Sequence, residues 1–268
     1  MPTSEYVIRG GAEGRERLRL LSSIYRPATL ALLSRAGIPR DATCLDVGCG
    51  GGDVTLDLAR HVGPGGRVIG IDMDEVELEI ARKEAAEQGL GNVQYHSGDA
   101  RGSPGAGEFD VAYSRCLLSH LSDPAACISN IQMALKPHGL LILEDIDIRG
   151  IFCYPHNPAV IRFRELYAQV VRRRGADPDI GPRLPILLLE KGFEHVSMNV
   201  VQPAGFEGEV KLLVPLSMKL IADTVITDGL ATPDEVAHLV DLTFEVARDR
   251  RTVVGTARVV QTWGYRAA

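Results

Sequence analysis

Apolar and polar positions fall in blocks along this chain, and the block lengths predict its elements. Residues 43–48, 67–72, 92–97, 108–114 and 138–147 are short, mainly apolar stretches bounded by turn residues, the pattern of buried strands. Between them, residues 52–62, 74–88 and 123–135 carry apolar positions at helical spacing. Asp74 with Glu77 reads as a capping box, and Gly89 as a stop. Asp123-Pro124 reads as an N-cap followed by proline at the first helical position; Ile128, Ile131 and Leu135 then form the buried stripe. Strands alternating with helices predict an α/β fold, a parallel sheet covered by helices on both faces.

The flanks differ from this core. Leu18, Leu21 and Ile24/Tyr25 share one helical face, Pro27 sits where a second helix would begin, and Gly37 follows its last turn. Two helices are therefore predicted within 13–36. After residue 148, Gly150 to Pro158 reads as a loop, Val160 to Arg174 as a helix, Ile186 to Lys191 as a shorter one stopped by Gly192, and Phe193 to Val201 as a sixth strand. Residues 204–251 read as an insertion before a last strand, Val253 to Trp263. It holds one helix from Pro215 to about Thr227, and a second opens at Thr232-Pro233-Asp234-Glu235. The predicted division is an N-terminal helical segment (1–42), the core (43–203), a helical insertion (204–252) and the last strand of the core (253–268).

Composition narrows the function. Net charge is −6 with a pI near 5.7, which argues against a nucleic acid or an anionic membrane as partner. Arg172-Arg173-Arg174 is the best local basic patch, and a solvated helix end explains it. Five cysteines (44, 49, 116, 127 and 153) without a C-x-x-C read as reduced thiols of a cytoplasmic protein. The first twenty residues are too charged for a signal peptide, and no apolar run is long enough to span a bilayer.

The chemistry concentrates at Leu45-Asp46-Val47-Gly48-Cys49-Gly50-Gly51-Gly52-Asp53, where a strand runs through a glycine loop into a helix. A dinucleotide fingerprint would place a third glycine where Asp53 stands. Asp46, two residues before Gly48, suits a ligand with a positive end. This D-x-G-x-G-x-G resembles motif I of the class I S-adenosylmethionine-dependent methyltransferases. Further stretches fit in order: Val68-Ile69-Gly70-Ile71-Asp72-Met73-Asp74, His96-Ser97-Gly98-Asp99-Ala100, Phe109-Asp110-Val111-Ala112-Tyr113-Ser114, and Leu135-Lys136-Pro137-His138-Gly139-Leu140-Leu141-Ile142. The small-molecule subgroup related to the ubiquinone/menaquinone C-methyltransferases is the most similar.

The resemblance implies a Rossmann-like, doubly wound, mainly parallel seven-stranded sheet. Its N-terminal helices would cover the cofactor, and the helical insertion would cap the substrate. It implies S-adenosylmethionine as cofactor and a small-molecule acceptor, quinone-like or a secondary metabolite, for a monomer or homodimer. Asp72 would hold the ribose, with Met73 beside it; Asp99 and Ala100 would hold the adenine. Asp46 and the backbone around Gly48 and Ser114 would hold the ammonium, and Gly50 is a further cofactor contact of the loop. Tyr6, Arg26 and Arg115 are candidates for the methionine carboxylate. His120 is the candidate general base and substrate contact, with Tyr25, Tyr154 and His156 as further substrate contacts. Zinc spacing is absent; Glu144, Asp145 and Asp147 could hold magnesium, but capping the following turn explains them as well, and no metal is expected. Two other readings keep the cofactor pocket: a cyclase-like enzyme and a non-catalytic ligand-binding protein. A nicotinamide dehydrogenase is disfavoured by Asp53.

Overall fold

The computed structural model describes residues 11–102 and 105–268. Its main sheet is built from β1 (Thr43–Val47), β2 (Arg67–Asp72), β3 (Val93–Ser97), β4 (Phe109–Arg115), β5 (Leu135–Asp147), β7 (Phe193–Val201) and β10 (Arg258–Arg266). Their order is β3-β2-β1-β4-β5-β10-β7, with β10 antiparallel to both neighbours. The mainly parallel, seven-stranded, doubly wound sheet is therefore as expected. Strand order reverses between β1 and β4, and that reversal opens a crevice at the carboxyl ends of the strands.

Side-chain alternation assigns the helices to the faces. Cys44, Val68, Val111, Tyr113 and Ile142 pack against the C-terminal half of α1 (Gly11–Ala36) and against α2 (Asp53–Val62). Leu45, Val47, Ala112, Leu141 and Leu143 pack on the opposite face against α4 (Pro124–Ala134) and α6 (Leu184–Glu190). Leu78, Ala81 and Ala85 of α3 (Glu75–Glu87) close over Leu56 and Tyr95. A further core joins α5 (Pro158–Arg173), α7 (Leu213–Thr227) and α8 (Pro233–Arg248) to Ile146, Val254 and Val259.

Several expectations change. One helix, not two, covers 11–36, and Pro27 lies inside it. An interior proline costs about 3 kcal/mol, but Tyr25, Thr29, Leu32 and Leu33 are all buried around it and hold the helix through. The stretch read as a loop at 150–158 contains β6 (Phe152–Tyr154). It pairs with β9 (Val253–Gly255), which pairs in turn with β8 (Ala204–Gly205). The last strand is accordingly two strands, β9 and β10. Gly255 lies under the Phe152 ring, where a Cβ would come within 2.0 Å of a ring carbon. Thr256 then leaves the small sheet, its N–H donating to Pro203 O at 3.0 Å. β5 begins at Leu135, ahead of the expected 138, with a register shift against β4 between Phe109 and Val111.

Lys211 anchors the segment between β8 and α7. Only 1 % exposed, its ammonium donates to Phe206 O, Asp249 O, Thr252 O and Thr252 Oγ1 at 2.6–3.2 Å. Lys211→Met takes the ammonium away from all of these acceptors, and is expected to lower stability by about 1–3 kcal/mol. A urea titration reads this; an unchanged midpoint would show that the ammonium contributes nothing.

Candidate functional site

The glycine loop follows β1 directly. Gly48 and Cys49 donate their N–H groups to Ile71 O at 2.8 and 3.0 Å, which folds the loop back over the end of β2. Gly48 and Gly50 have φ of +73° and +50°, the left-handed region that glycine adopts without strain. Gly50 N–H donates to Asp72 Oδ2 at 2.8 Å, and Asp74 N–H to Asp72 Oδ1 at 2.9 Å. Asp72 thus ties the loop to the end of β2. Each of its oxygens keeps further acceptor capacity for a ligand hydroxyl. The capping box is realised in its first half alone. Asp74 accepts from Val76 and Glu77 N–H, while Glu77 turns inward to within 3.9 Å of Arg15.

Asp46 is 2 % exposed, and its Oδ2 accepts the Thr55 hydroxyl at 2.6 Å. Burial, outweighing that hydrogen bond, pushes its carboxyl up to about 6. This changes its expected part: a buried carboxylate bonded to α2 acts on a cation through its field rather than by open contact. Ser114 is also buried, its hydroxyl donating to Val47 O at 2.8 Å. Arg115 donates to Thr29 Oγ1 at 3.4 Å and Ser22 Oγ at 3.2 Å, both on α1. Of the residues expected to contact the adenosine moiety, Met73 is exposed and Ala100 half-buried. Asp99 accepts from the backbone and guanidinium of Arg101. The guanidinium first, and the backbone N–H with it, hold its carboxyl below the usual range. Asp99 is thus paired locally with Arg101 in this structure.

His120 lies in the short helical turn Leu118–His120 after β4, 7 % exposed. Burial, and next the positive charge of Arg17, push its imidazole down to about 4, so it is neutral at pH 7. Asp145 is beside this turn, accepting from Ser119 N–H at 3.1 Å and Ile146 N–H at 2.8 Å. Burial raises it to about 6.

Other candidates are placed elsewhere. Tyr6 lies outside the described residues. Arg26 is bound to Asp57 of α2 by two bonds of 2.8 and 2.9 Å, so its guanidinium is committed to a protein carboxylate. Tyr25 is 2 % exposed and donates to Thr256 Oγ1 and Ala257 O; it locks α1 to the β9–β10 corner instead of lining a pocket. Tyr154 is 71 % exposed at the end of β6, and His156 is exposed after it, neither gathered into the interior with His120. Asp147 is engaged by Arg149 and Arg258, and Glu144 by Tyr113, Thr29 and Gln261. With Asp145 bonded to two N–H groups, these acids act as structural acceptors.

Charge patterning did not single out Arg15. It crosses the glycine loop 4 % exposed, bonded to Asp53 at 2.9 Å, Glu84 at 3.0 Å and Gly51 O at 3.3 Å. Together with Leu18, 3.9 Å from where a Gly50 Cβ would stand, it places α1 over the loop. The signal available was the density of arginines in residues 15–19, which also reads as a solvated face.

A model of the methyltransferase domain matches residues 38–171, half of the chain. The chain belongs to that family, within the class I S-adenosylmethionine-dependent methyltransferases. A nocamycin O-methyltransferase of Saccharothrix syringae is 38 % identical over 43 % of this chain and 41 % of its own length. A demethylmenaquinone methyltransferase of Lactococcus lactis is 36 % identical over 41 % of this chain and 44 % of its own. The match thus spans less than half of either relative. The [4+2]-cyclase SpnF shares the fold, with a TM-score of 0.56 at 22 % identity over 90 % of this chain and 82 % of that one.

A Cβ at Gly51 would come within 2.0 Å of the Arg15 guanidinium, although the Gly51 backbone itself is not left-handed. Gly51→Ala is therefore expected to displace Arg15 and to cost about 1–3 kcal/mol. Hydrogen exchange should accelerate selectively in residues 14–22. Uniform acceleration, or none, would show that Arg15 does not hold α1 on the loop.

Proposed function

We propose that this protein binds S-adenosylmethionine at the carboxyl ends of β1, β2 and β4 and methylates a small molecule. The observation that carries this is a pair of carboxylates, Asp46 and Asp72, at the ends of adjacent strands around the glycine loop. A pyrophosphate would be repelled there, whereas a ligand carrying an ammonium and a sulfonium is attracted. When bound, the cofactor supplies an electrophilic methyl group. Asp72 accepts the ribose hydroxyls and Asp46 offsets positive charge through the loop. Asp99, once Arg101 releases it, faces the adenine. Arg115 receives the methionine carboxylate. α1 and the 204–252 cap exclude water, and the layers hold donor and acceptor in line.

His120 is neutral and lies past β4, which supports a part in turnover. A base this weak serves an acceptor whose hydroxyl is already acidic. The two methyltransferase relatives support a quinone-like or secondary-metabolite acceptor, in the subgroup that the motifs resemble. We read the protein as cytoplasmic and as a monomer or homodimer. The fold also carries a cyclase, so product analysis with labelled methyl donor is the deciding experiment. Transfer of label to an acceptor supports methylation; cofactor binding without transfer would support the cyclase-like or binding readings.

Two predictions follow from the site. A cation bound near Asp46 favours its ionised form, so binding S-adenosylmethionine should release a proton around pH 6. Affinity should fall as pH drops from 7 to 5, where Asp46 is protonated before the ligand arrives. Calorimetry in buffers of different ionisation enthalpy reads the proton, and Asp46→Asn should remove most of the release, Asp145 remaining. No proton release in the parent protein would sink the role of Asp46.

His120→Ala should lower turnover and leave cofactor affinity nearly intact. Wild-type turnover with a wild-type pH profile would exclude His120 as the base.

A further inference from the structure

Arg17 is 8 % exposed on the inner face of α1, and Nε donates to Ser217 Oγ of α7 at 2.7 Å. Among the described residues no carboxylate lies within ion-pairing distance of it, although Arg15, two positions earlier, has two in hydrogen-bond contact. A buried guanidinium bonded to a neutral hydroxyl is costly unless an anion completes it. Its charge acts on Tyr25, Cys116 and His120, so it lies near the end of β4 and the turn that carries His120.

Charge counting assigns that anion. Arg115 likewise has hydroxyl partners and no ion pair among the described residues. S-adenosylmethionine brings one carboxylate against two cationic centres, so it can complete one guanidinium and no more. Arg115, at the end of the strand beside the glycine loop, is the one within that ligand's reach. Arg17 is left, held against the cap.

We propose that Arg17, oriented by Ser217, binds a delocalised oxyanion on the methyl acceptor, so that the acceptor is an acid or an acidic enol or phenol. This rests on the methyltransferase reading given above. It fits a base as weak as His120: an acceptor whose acidity is raised by Arg17 asks little of the group that takes its proton. It also accounts for the bond between α1 and α7, because closing these two elements builds the anion site.

The test uses the full chain saturated with S-adenosylhomocysteine. Four probes are titrated at pH 8: 4-hydroxybenzoate against 4-hydroxybenzamide, and 4-nitrophenol against 4-nitroanisole. A charge-assisted contact predicts that at least one anionic probe binds about tenfold or more tightly than its neutral counterpart. The pair that discriminates tells a carboxylate from an ionised hydroxyl. Arg17→Met should abolish the preference and Arg17→Lys should restore part of it, with S-adenosylhomocysteine affinity within about twofold throughout. If Arg17→Met does not fold, Ser217→Ala should reduce the preference by releasing the guanidinium from its orienting hydroxyl. Equal binding of both members of both pairs overturns the proposal. So does a loss of S-adenosylhomocysteine affinity in Arg17→Met that matches the loss of probe binding, since Arg17 would then belong to the cofactor. The two readings fail separately: anion preference without S-adenosylhomocysteine binding removes the cofactor assignment and keeps the anion site.

Discussion

Charge buried at one edge of the sheet is the constraint around which this molecule is arranged. Asp46, Glu144, Asp145 and Asp147 all end up 2 % exposed or less at or near the carboxyl ends of their strands. A buried carboxylate is tolerated when donors surround it. The donors come from elements far apart in the chain: Thr55 from α2, Thr29 from α1, Tyr113 from β4, Gln261 and Arg258 from β10, and the Ser119 N–H from the turn after β4. Satisfying those four groups fixes where α1, α2 and β10 lie.

Glu144 shows how the constraint becomes architecture. β5 alternates its side chains, so Glu144 faces the α1 side while Asp145 faces the side of the Leu118–His120 turn. One carboxylate draws α1 onto the sheet, and its neighbour positions the residues that lead to His120. The same alternation puts Ile146 into the core of α5, α7 and α8. Three successive residues thus tie the sheet to α1, to the turn that carries His120 and to the core of α5, α7 and α8.

The arginines divide by the same accounting. Arg15 is matched by carboxylates and holds α1 on the glycine loop; Arg26 is matched by Asp57 and holds α1 on α2. Arg17 of α1 and Arg115 of β4 have hydroxyl partners instead. Within one helix, position decides whether a guanidinium meets carboxylates or a hydroxyl. Helical geometry aims residues 15 and 17 in different directions, toward Glu84 of α3 and toward Ser217 of α7 respectively.

The core was legible in the sequence because its signals are local. Short apolar runs, caps such as Asp123-Pro124 and Thr232-Pro233, and left-handed glycines at 48 and 50 each constrain a few neighbouring residues, and the backbone obeyed them. The order of motifs along a parallel sheet then placed Asp46, Asp72, Ser114 and His120 at one edge. What failed was everything decided by distant partners. Pro27 stayed within a helix because residues on both sides of it are buried by elements remote in sequence. The last strand broke at Thr256 because Phe152 and Pro203 wait there. Tyr25 and Arg26 look like ligand contacts in the sequence and became locks, since Thr256 and Asp57 reach them first. Arg17 gave no local sign of its position at all. A charged side chain in a helix reads as solvated until the tertiary structure shows which face is buried and which carboxylates are absent around it.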